Sequence, residues 1–382
     1  MSLDNTFSKT DYLYMQRAIE LAKRGRYSTS PNPVVGCVLV KDEVIVGEGW
    51  HVKAGEGHAE VNALAMAGDH ALGCTAYVTL EPCSHYGRTP PCAKALTKAG
   101  VTQVIIAMQD PNPQVSGRGI EMLEDAGINT KVGLLEQSAR QINQGFIKRM
   151  QTGLPHVICK LASSLDGKIA MQSGESQWIT SPESRQDVQR LRALSCAVIS
   201  GADTVLIDDA RLTVRYEELG FAQQVIEPEN LRQPVRVIID SQYRLSPELA
   251  LFKQPSKIIV VRNQNTLQQE PDWPTHVQTL NIAGTEQETG KVDLNLLLTA
   301  LATSGINNLM IEAGGQLASA FIAGGLVDEL WLYQAPKLMG AQAISLLALP
   351  EVELLAQAPQ LTINDIRKIG PDIRIRASIN QH

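Results

Sequence analysis

The sequence contains few aromatic residues, no excess of positive charge and no long apolar run. Phe, Trp and Tyr make up 4% of its 382 residues, which disfavours a groove that stacks the bases of a single strand. The formal net charge of −6 provides no basic field for a long nucleic acid. No run of about 18 apolar residues occurs, so no membrane-spanning helix is expected. The polar segment 1–11 lacks the apolar stretch of a secretory signal.

The six cysteines are spread widely along the chain, which indicates a reduced, cytoplasmic protein and not a disulfide scaffold. The fingerprint G-x-G-x-x-G is missing from the early part of any predicted βαβ unit, so a standard dinucleotide-binding half is not expected. The length favours two domains, and a hydrophobic content of 44% is sufficient for two cores.

The sequence does contain metal-ligand residues in the order His58, Cys83, Cys92, with Glu60 just after the histidine. Zinc favours such nitrogen and sulfur ligands, and three protein ligands leave a fourth position where the metal makes water more acidic. A glutamate that is not a ligand can then carry protons, as in zinc-dependent base deaminases. We therefore predict His58, Cys83 and Cys92 as zinc ligands and Glu60 as the catalytic residue. The competing interpretation is of two ordinary buried thiols and a core histidine.

One feature departs from the general deaminase pattern, which closes with C-x-x-C. Here eight residues separate Cys83 from Cys92, so the intervening segment must loop out before the second cysteine ligand. Both ligand segments are expected at helix N-termini, where the helix dipole favours a thiolate.

Hydrophobic periodicity predicts an α/β layered first half that ends near Gly153. The predicted helices and strands are helices over 11–24, 58–68, 119–126 and 134–150, a helix starting at 91–92, and strands over 34–40, 44–49, 76–80 and 104–107. After a short linker over 151–155, an apolar strand over 156–162 begins the second domain.

The second half includes an apolar strand, a turn at Gly314 and Gly315, and a helix. Glycine lets backbone N–H groups approach a phosphate, and a helix N-terminus favours its charge. Many α/β proteins use the same turn only for tight packing, so both interpretations stand at this point. Arg192 and Arg215 could clamp a phosphate in bidentate geometry or could be solvated surface charges.

These motifs together resemble the bifunctional riboflavin-biosynthesis deaminase–reductases of bacteria, over residues 10–375. In the first half the resemblance rests on the runs 32–36, 58–60 and 79–92, and the eight-residue insert is specific to this family among deaminases. In the second half it rests on the runs 164–168, 174–180, 208–215 and 312–315.

The resemblance implies an α/β protein with an N-terminal cytidine-deaminase-like three-layer α/β/α domain, 1–152, and a C-terminal dihydrofolate-reductase-like α/β domain, 153–382. The first would bind Zn²⁺ and deaminate 2,5-diamino-6-(5-phosphoribosylamino)pyrimidin-4-one. The second would use NADPH to reduce the ribosyl group of the product to ribityl. The partners expected are this small ribotide and other copies of the chain in a dimer or tetramer, with no nucleic acid and no membrane.

The resemblance also implies residue roles. Substrate-binding positions are Asn32, His51, His85, Arg88, Ser176, Arg192, Leu212, Arg215 and Glu312. Cofactor-binding positions are Ala162, Trp178, Thr204, Asp208, Ser241, Gly314, Gly315, Gln316, Leu317, Ala318, Ser319 and Ala320. This resemblance favours phosphate binding at the Gly-Gly turn.

The proton donor of the reductase stays open among Asp208, Glu312 and Lys160, and Lys160 could equally be a structural partner of a carboxylate. Arg244 is a guess for the contact to the 2′-phosphate of the cofactor. Two rival functions are compatible with parts of the sequence. One is a single-activity nucleoside or nucleic-acid deaminase with an unrelated C-terminal domain. The other is a zinc-stabilised, non-catalytic binding protein, against which the presence of Glu60 argues.

Overall fold

The computed structural model describes residues 7–84, 90–113, 115–266, 268–284, 290–351 and 353–380. The chain divides into two compact units. One comprises Met1–Gly153 with Val225–Leu231, and the other comprises Leu154–Gln224 with Arg232–His382. Among the helices of the described ranges, none combines the length and apolar character that a membrane crossing demands.

The first unit is a five-stranded sheet covered by helices on both faces. Its elements are α1 (Lys9–Arg24), β1 (Gly36–Lys41), β2 (Val44–Trp50), α2 (Ala59–Ala67), β3 (Thr75–Val78), α3 (Cys92–Lys98), β4 (Gln103–Ile106), α4 (Arg118–Asp125), β5 (Asn129–Val132), α5 (Glu136–Ile142) and α6 (Gln144–Thr152). The strand order is β2-β1-β3-β4-β5, with β3, β4 and β5 parallel.

Two apolar cores separate the layers of this unit. Helices α2, α3 and α4 pack on one face of the sheet, where Leu39 and Val78 contribute. Helices α1, α5 and α6 pack on the other face, where Val38 and Ile105 contribute. The alternation of Val38 and Leu39 between the two faces follows from the two-residue period of a strand. The predicted three-layer α/β/α arrangement is confirmed.

Small residues bring α2 directly against β2. Ala59, Ala63 and Ala67 recur every four residues and are buried along one face of the helix. Opposite them lie Gly47 and Gly49, where an added Cβ would meet the carbonyl oxygens of Ala63 and Ala59 at 2.3 Å in both cases. Any residue other than glycine at positions 47 and 49 would clash with the backbone of α2. The pattern of glycine in β2 and alanine in α2 therefore fixes the start of α2 against the sheet.

The predicted helix over 134–150 is wrong as a single helix, because α5 and α6 are separate and meet at Asn143. Asn143 has φ −125° and ψ 21°, which is outside the helical region. Its side chain donates to the carbonyl oxygen of Val34 and accepts from the Val34 N–H, at 3.0 and 2.9 Å. This pairing with a residue just before β1 outweighs the local helical periodicity.

The second unit is built on a nine-stranded sheet. Its elements are β6 (His156–Ser164), β7 (Lys168–Ala170), α7 (Pro182–Leu194), β8 (Ala197–Gly201), α8 (Ala202–Asp208), β9 (Val235–Ile239), β10 (Ile258–Asn263), β11 (Val277–Ile282), α9 (Leu294–Thr303), β12 (Asn308–Ile311), α10 (Gly315–Ala323), β13 (Glu329–Ala335), β14 (Ile344–Ser345), β15 (Leu361–Ile369) and β16 (Asp372–Ile379).

The strand order of this sheet is β11-β10-β9-β8-β12-β6-β13-β16-β15. The strands from β11 to β13 are parallel, and β16 and β15 extend them as an antiparallel hairpin. From β8 the chain moves outward to β11, and β12 then returns to the opposite side of β8. Such a reversal creates a crevice at the carboxyl ends of the strands, where ligands bind in open α/β sheets.

A fully buried ion pair joins β9 and β10 in this unit. Arg262 Nη1 donates to Asp240 Oδ2 at 2.6 Å, and both side chains have no exposed surface. Asp240 also accepts from the backbone N–H groups of Arg244 and Leu245, both at 3.0 Å, and so shapes the turn that follows β9.

Replacing Arg262 by methionine should therefore destabilise the second unit by about 3–5 kcal/mol, because Asp240 would be left as a buried, unpaired charge. Urea unfolding followed by tryptophan fluorescence measures this, since Trp273 lies beside Arg262. A loss below about 1 kcal/mol, the size typical of surface substitutions, would contradict the role of this pair.

Candidate active sites

The three predicted zinc ligands come together at the ends of three elements of the first unit. His58 is the N-cap residue of α2 in an extended conformation, Cys92 is the first residue of α3, and Cys83 follows β3. The Cys92 N–H donates to the Cys83 sulfur at 3.3 Å, and the Ala93 N–H donates to the Cys83 carbonyl oxygen at 3.3 Å. These two bonds draw the two cysteines together.

The ligand atoms of His58, Cys83 and Cys92 all lie within 4.8 Å of one another. His58 Nδ1 is 3.6 Å from Cys83 Sγ and 3.3 Å from Cys92 Sγ. In a tetrahedral zinc site with Zn–N of about 2.0 Å and Zn–S of about 2.3 Å, nitrogen and sulfur lie about 3.5 Å apart. The structure brings the three predicted residues together, and one nitrogen and two sulfurs at this spacing fit zinc.

The electrostatics of the cluster favour a thiolate at Cys83. The pKa of Cys83 is lowered to about 4, because its sulfur accepts hydrogen bonds from the Cys92 side chain, the His58 ring and the Cys92 backbone. The pKa of Cys92 is raised, because its thiol donates to Cys83 and is buried. Metal binding requires deprotonated cysteine, so Cys83 supplies the first anionic ligand atom.

Glu60 lies in the first turn of α2, two residues beyond His58, and only 3% of it is exposed. Burial raises the pKa of its carboxyl to about 7, and the Cys83 sulfur adds to this effect. A carboxyl with a pKa near neutrality can both take up and release a proton at physiological pH. The placement fits a proton carrier beside the ligand cluster.

His51 and Asn32 form a polar pair in the same site. His51 Nδ1 is 3.1 Å from the Gly57 carbonyl oxygen and must donate to it, which leaves Nε2 to accept from the Asn32 amide at 3.0 Å. Burial lowers the pKa of His51, which favours the neutral ring that this pairing requires. The His51 and His58 rings pack edge to face, 5.2 Å apart.

A cavity of about 590 Å³, within the usual range for a small-molecule site, is lined in part by Asn32, His51, His58, Glu60 and Cys83. Its wall also contains residues that the sequence analysis missed, namely Asp110, Asn112, Val115 and Phe146. Asp110 and Asn112 follow β4, the parallel neighbour of β3. Because the carboxyl ends of parallel strands meet at one edge of a sheet, that adjacency could have pointed to them. His85 and Arg88 lie outside the described residues.

In the second unit, Arg192 of α7 and Glu312, which follows β12, form a forked ion pair. Arg192 Nε and Nη2 donate to the two oxygens of Glu312 at 3.1 and 2.9 Å. The pKa of Glu312 is lowered in spite of its burial, because Arg192 and Lys160 are close. Arg192 is therefore not a solvated surface charge: it is 8% exposed and tied to a second predicted substrate residue.

Lys160 lies on β6, and its pKa is lowered because burial disfavours its charge. The negative charge of Glu312 works in the opposite direction, and Arg192 adds to the lowering. Strand β12 lies between β6 and β8, which explains how Glu312 meets Arg192, 120 positions earlier in the chain.

The Gly-Gly turn at the start of α10 combines a packing role with open space. A Cβ on Gly315 would lie 2.7 Å from the Leu346 carbonyl oxygen, whereas a Cβ on Gly314 would meet nothing within 4 Å. The first N–H groups of a helix have no partner inside the helix, so this end of α10 is suited to an anion. Ala318 and Ser319 are buried, and Ser319 accepts from the Ala348 N–H at 2.8 Å.

The remaining predicted positions of the second unit differ in exposure. Trp178 is 62% exposed and carries Arg185 over its ring, while Gln177 Nε2 lies 3.5 Å from exposed Asp208. Leu212 is buried with φ 54°, and exposed Arg215 pairs with Glu218. The remaining predicted cofactor positions lie on β6 for Ala162, in α8 for Thr204, in α10 for Gln316, Leu317 and Ala320, and after β9 for Ser241. Ser176 lies between β7 and α7.

Arg244, the residue guessed to recognise the cofactor 2′-phosphate, makes an ion pair instead. Its Nη1 lies 2.6 Å from Asp203 Oδ1, and both side chains are exposed, at 41% and 65%. The role of Arg244 stays a prediction.

Family models match both halves of the chain. The model of the cytidine and deoxycytidylate deaminase zinc-binding region matches residues 8–108, and that of the RibD C-terminal domain matches residues 155–375. The second match overturns the rival of an unrelated C-terminal domain.

Similar proteins span nearly the whole chain. Riboflavin biosynthesis protein RibD of Escherichia coli strain K12 is 53% identical over 95% of this chain and 98% of its own length. The protein of the same name from Haemophilus influenzae is 51% identical over 97% of each chain. The solved structure of Acinetobacter baumannii RibD is 46% identical, with a TM-score of 0.87 over 98% of this chain and 99% of its own. This chain therefore belongs to the RibD family of riboflavin biosynthesis proteins.

Proposed function

We propose that this protein catalyses two successive reactions on one pyrimidine ribotide. The first is the hydrolytic deamination of 2,5-diamino-6-(5-phosphoribosylamino)pyrimidin-4-one. The second is the NADPH-dependent reduction of the ribosyl group of the deaminated product, which gives 5-amino-6-(5-phosphoribitylamino)uracil. We assign the deaminase to residues 1–152 and the reductase to 153–382. A solved Thermotoga maritima structure bears both activities in its name and is 32% identical, with a TM-score of 0.83 over 97% of this chain and 99% of its own.

The observation that carries the deaminase assignment is the convergence of His58, Cys83 and Cys92 beside buried Glu60 at the wall of a cavity. Those three residues would hold zinc. When bound there, zinc acts as a Lewis acid and lowers the pKa of a water molecule that it coordinates. Glu60 would take up a proton from the attacking water, deliver it to the ring nitrogen and then pass a proton to the leaving ammonia. Asn32 and neutral His51 would bind the pyrimidine ring of the substrate.

For the reductase, the residue arrangement supports Lys160 as the proton donor among the three candidates. Glu312 has a lowered pKa and is an acceptor for Arg192, so it is a poor acid at neutral pH. Asp208 is exposed, unlike the buried carboxyl that the role needs. NADPH supplies the hydride when it is bound, and Lys160 would protonate the sugar oxygen or nitrogen as the ring opens.

If zinc serves only the first site, its removal should separate the two activities. We expect protein depleted of zinc by a chelator to lose ammonia release and to keep NADPH oxidation on the deaminated ribotide. Zinc content by atomic absorption and both assays on one preparation measure this, with zinc added back as the control. Loss of both activities with the fold intact would refute separate sites.

A pH profile tests the role of Lys160. Reduction needs its protonated form, so the activity is present below its pKa and is lost as the pH rises through that value. Because burial lowers this pKa, we expect the alkaline limb to fall at a lower pH than for a solvent lysine. Replacing Lys160 by methionine should remove the limb and most of the rate, while Lys253→Met, at an exposed position, should change neither. An unaltered profile in the Lys160 variant would assign the acid elsewhere.

A further inference from the structure

Glu81 is a buried carboxylate that no step of the proposed reactions uses. It precedes Pro82 and the zinc ligand Cys83, and 3% of it is exposed. Four backbone N–H groups donate to it. Oε2 accepts from Asp110 and Gly117 at 3.1 and 3.0 Å, and Oε1 accepts from Gly119 and Ile120 at 2.8 and 3.4 Å. Such bonds to a buried carboxylate are among the stronger hydrogen bonds in proteins.

Two of the four donors, Asp110 and Gly117, belong to the segment between β4 and α4, and the other two lie in the first turn of α4. This segment supplies Asp110, Asn112 and Val115 to the wall of the deaminase cavity. The Asp110 side chain in turn accepts from the Asn112 N–H at 2.8 Å, so the conformation of both residues depends on where the Asp110 backbone is held.

A close backbone approach on the same side confirms how tightly this segment is seated. A Cβ on Gly119 would lie 2.0 Å from the Pro82 carbonyl oxygen and 3.1 Å from Glu81 Oε1. The segment after β4 is thus fixed to the residues before Cys83 at both ends. Its Asp110 end is held by Glu81, and its Gly119 end is held by Glu81 and by the close approach to Pro82.

We propose that Glu81 is a positioning residue, which holds the Asp110–Asn112 wall at a fixed distance from the zinc ligand Cys83 and thereby sets the affinity of the deaminase for its pyrimidine substrate. This inference rests on the deaminase function proposed above. Glu81 also borders the cavity, but its two carboxylate oxygens are occupied by four backbone N–H donors, so we assign its effect to the wall that these donors hold.

Replacing Glu81 by glutamine removes one acceptor and keeps the shape. The amide oxygen can face Gly119 and Ile120 or face Asp110 and Gly117, and the NH₂ group then opposes the N–H donors of the other pair. Because the Gly119 bond is the shortest and lies at the start of α4, we expect the Asp110 end to be released. A buried N–H donor without an acceptor costs free energy, which favours separation of the Asp110 end of the segment from residue 81.

For Glu81→Gln we expect the KM for deamination to rise roughly tenfold, with kcat changed less than about threefold, because the wall binds substrate but does not act on the reacting bond. Zinc content should match that of the unaltered protein, and reduction of the deaminated ribotide should be unchanged. Glu121→Gln is the matched control, because it is the same substitution at an exposed position of α4.

Hydrogen exchange gives a readout that does not depend on activity. In the unaltered protein the amides of Asp110, Gly117 and Gly119 should exchange slowly. In Glu81→Gln the amides of Asp110 and Gly117 should exchange faster, while the β4 amides keep their protection. Fast exchange at these amides in the unaltered protein would overturn the proposal even if the variant did not fold.

An unchanged KM would overturn the proposal, and so would a fall in kcat accompanied by loss of zinc, because Glu81 would then serve the metal ligand and not the wall. Failure of the unaltered, zinc-loaded protein to release ammonia would instead refute the proposed function itself. The two failures are therefore distinguishable.

Discussion

Replacing Glu60 by glutamine should reduce ammonia release by about 10²- to 10⁴-fold, the usual contribution of a general acid–base. The amide keeps the size of the side chain but cannot accept and pass on a proton. Glu60 lies beside the ligand cluster without being one of its three members, so the variant should retain zinc. The measurement is single-turnover ammonia release from the diaminopyrimidine ribotide, with zinc counted in the same sample.

The second domain provides an internal control for this variant. Given the deaminated ribotide, Glu60→Gln protein should oxidise NADPH at the rate of the unaltered protein. Deamination that persists within about tenfold, less than general acid–base catalysis usually contributes, would show that another group moves the proton. Loss of zinc would show that the carboxylate belongs to the metal site and not to the reaction.

Replacing Glu312 by glutamine should reduce kcat/KM for reduction by about 10²- to 10³-fold, equivalent to roughly 3–4 kcal/mol at 1.36 kcal/mol per tenfold. The Glu312 carboxylate accepts two hydrogen bonds from Arg192, and its negative charge stabilises the protonated form of Lys160. Without it, two partly buried cations face each other with no anion between them.

The same variant should also move the alkaline limb of reduction. Glu312 raises the pKa of Lys160, so its neutralisation lowers that pKa further, and the protonated lysine is lost at a lower pH. Steady-state reduction of the deaminated ribotide across pH measures both effects, with unchanged ammonia release as evidence that the first domain is intact. An unaltered limb together with an unaltered rate would separate Glu312 from the reductase site.

The zinc cluster was predictable because the chemistry restricts it to few residue types at the ends of short, recognisable elements. His58 begins an alanine-rich helix, and Cys92 begins another helix directly after two prolines. The eight-residue insert did not hide the site, because the two cysteines are adjacent in the structure, where the Cys92 N–H donates to the Cys83 sulfur.

Part of the cavity wall was missed for a physical reason. Asp110, Asn112 and Phe146 have no motif of their own, and they reach the cavity only through the pairing of β3 with β4 and through α6. The break between α5 and α6 was also missed, because it depends on the bonds of Asn143 to Val34, 109 residues away. Local periodicity contains no information on such contacts.

In the second domain the motifs were recognised but their arrangement was not. The insertion of β12 between β6 and β8 is a long-range pairing, and it is what brings Glu312 to Arg192. The two interpretations of the Gly-Gly turn also turned out to be compatible, since Gly315 serves packing and Gly314 leaves space.

The central claim is that one chain deaminates first and reduces second, and a coupled assay tests it most directly. Purified, zinc-loaded protein is given the diaminopyrimidine ribotide, and ammonia release and NADPH absorbance are followed together. We predict ammonia release with or without NADPH, and NADPH oxidation only after a lag in which deaminated product forms. NADPH oxidation that precedes ammonia release, or that proceeds in Glu60→Gln protein given the diaminopyrimidine ribotide, would contradict this order.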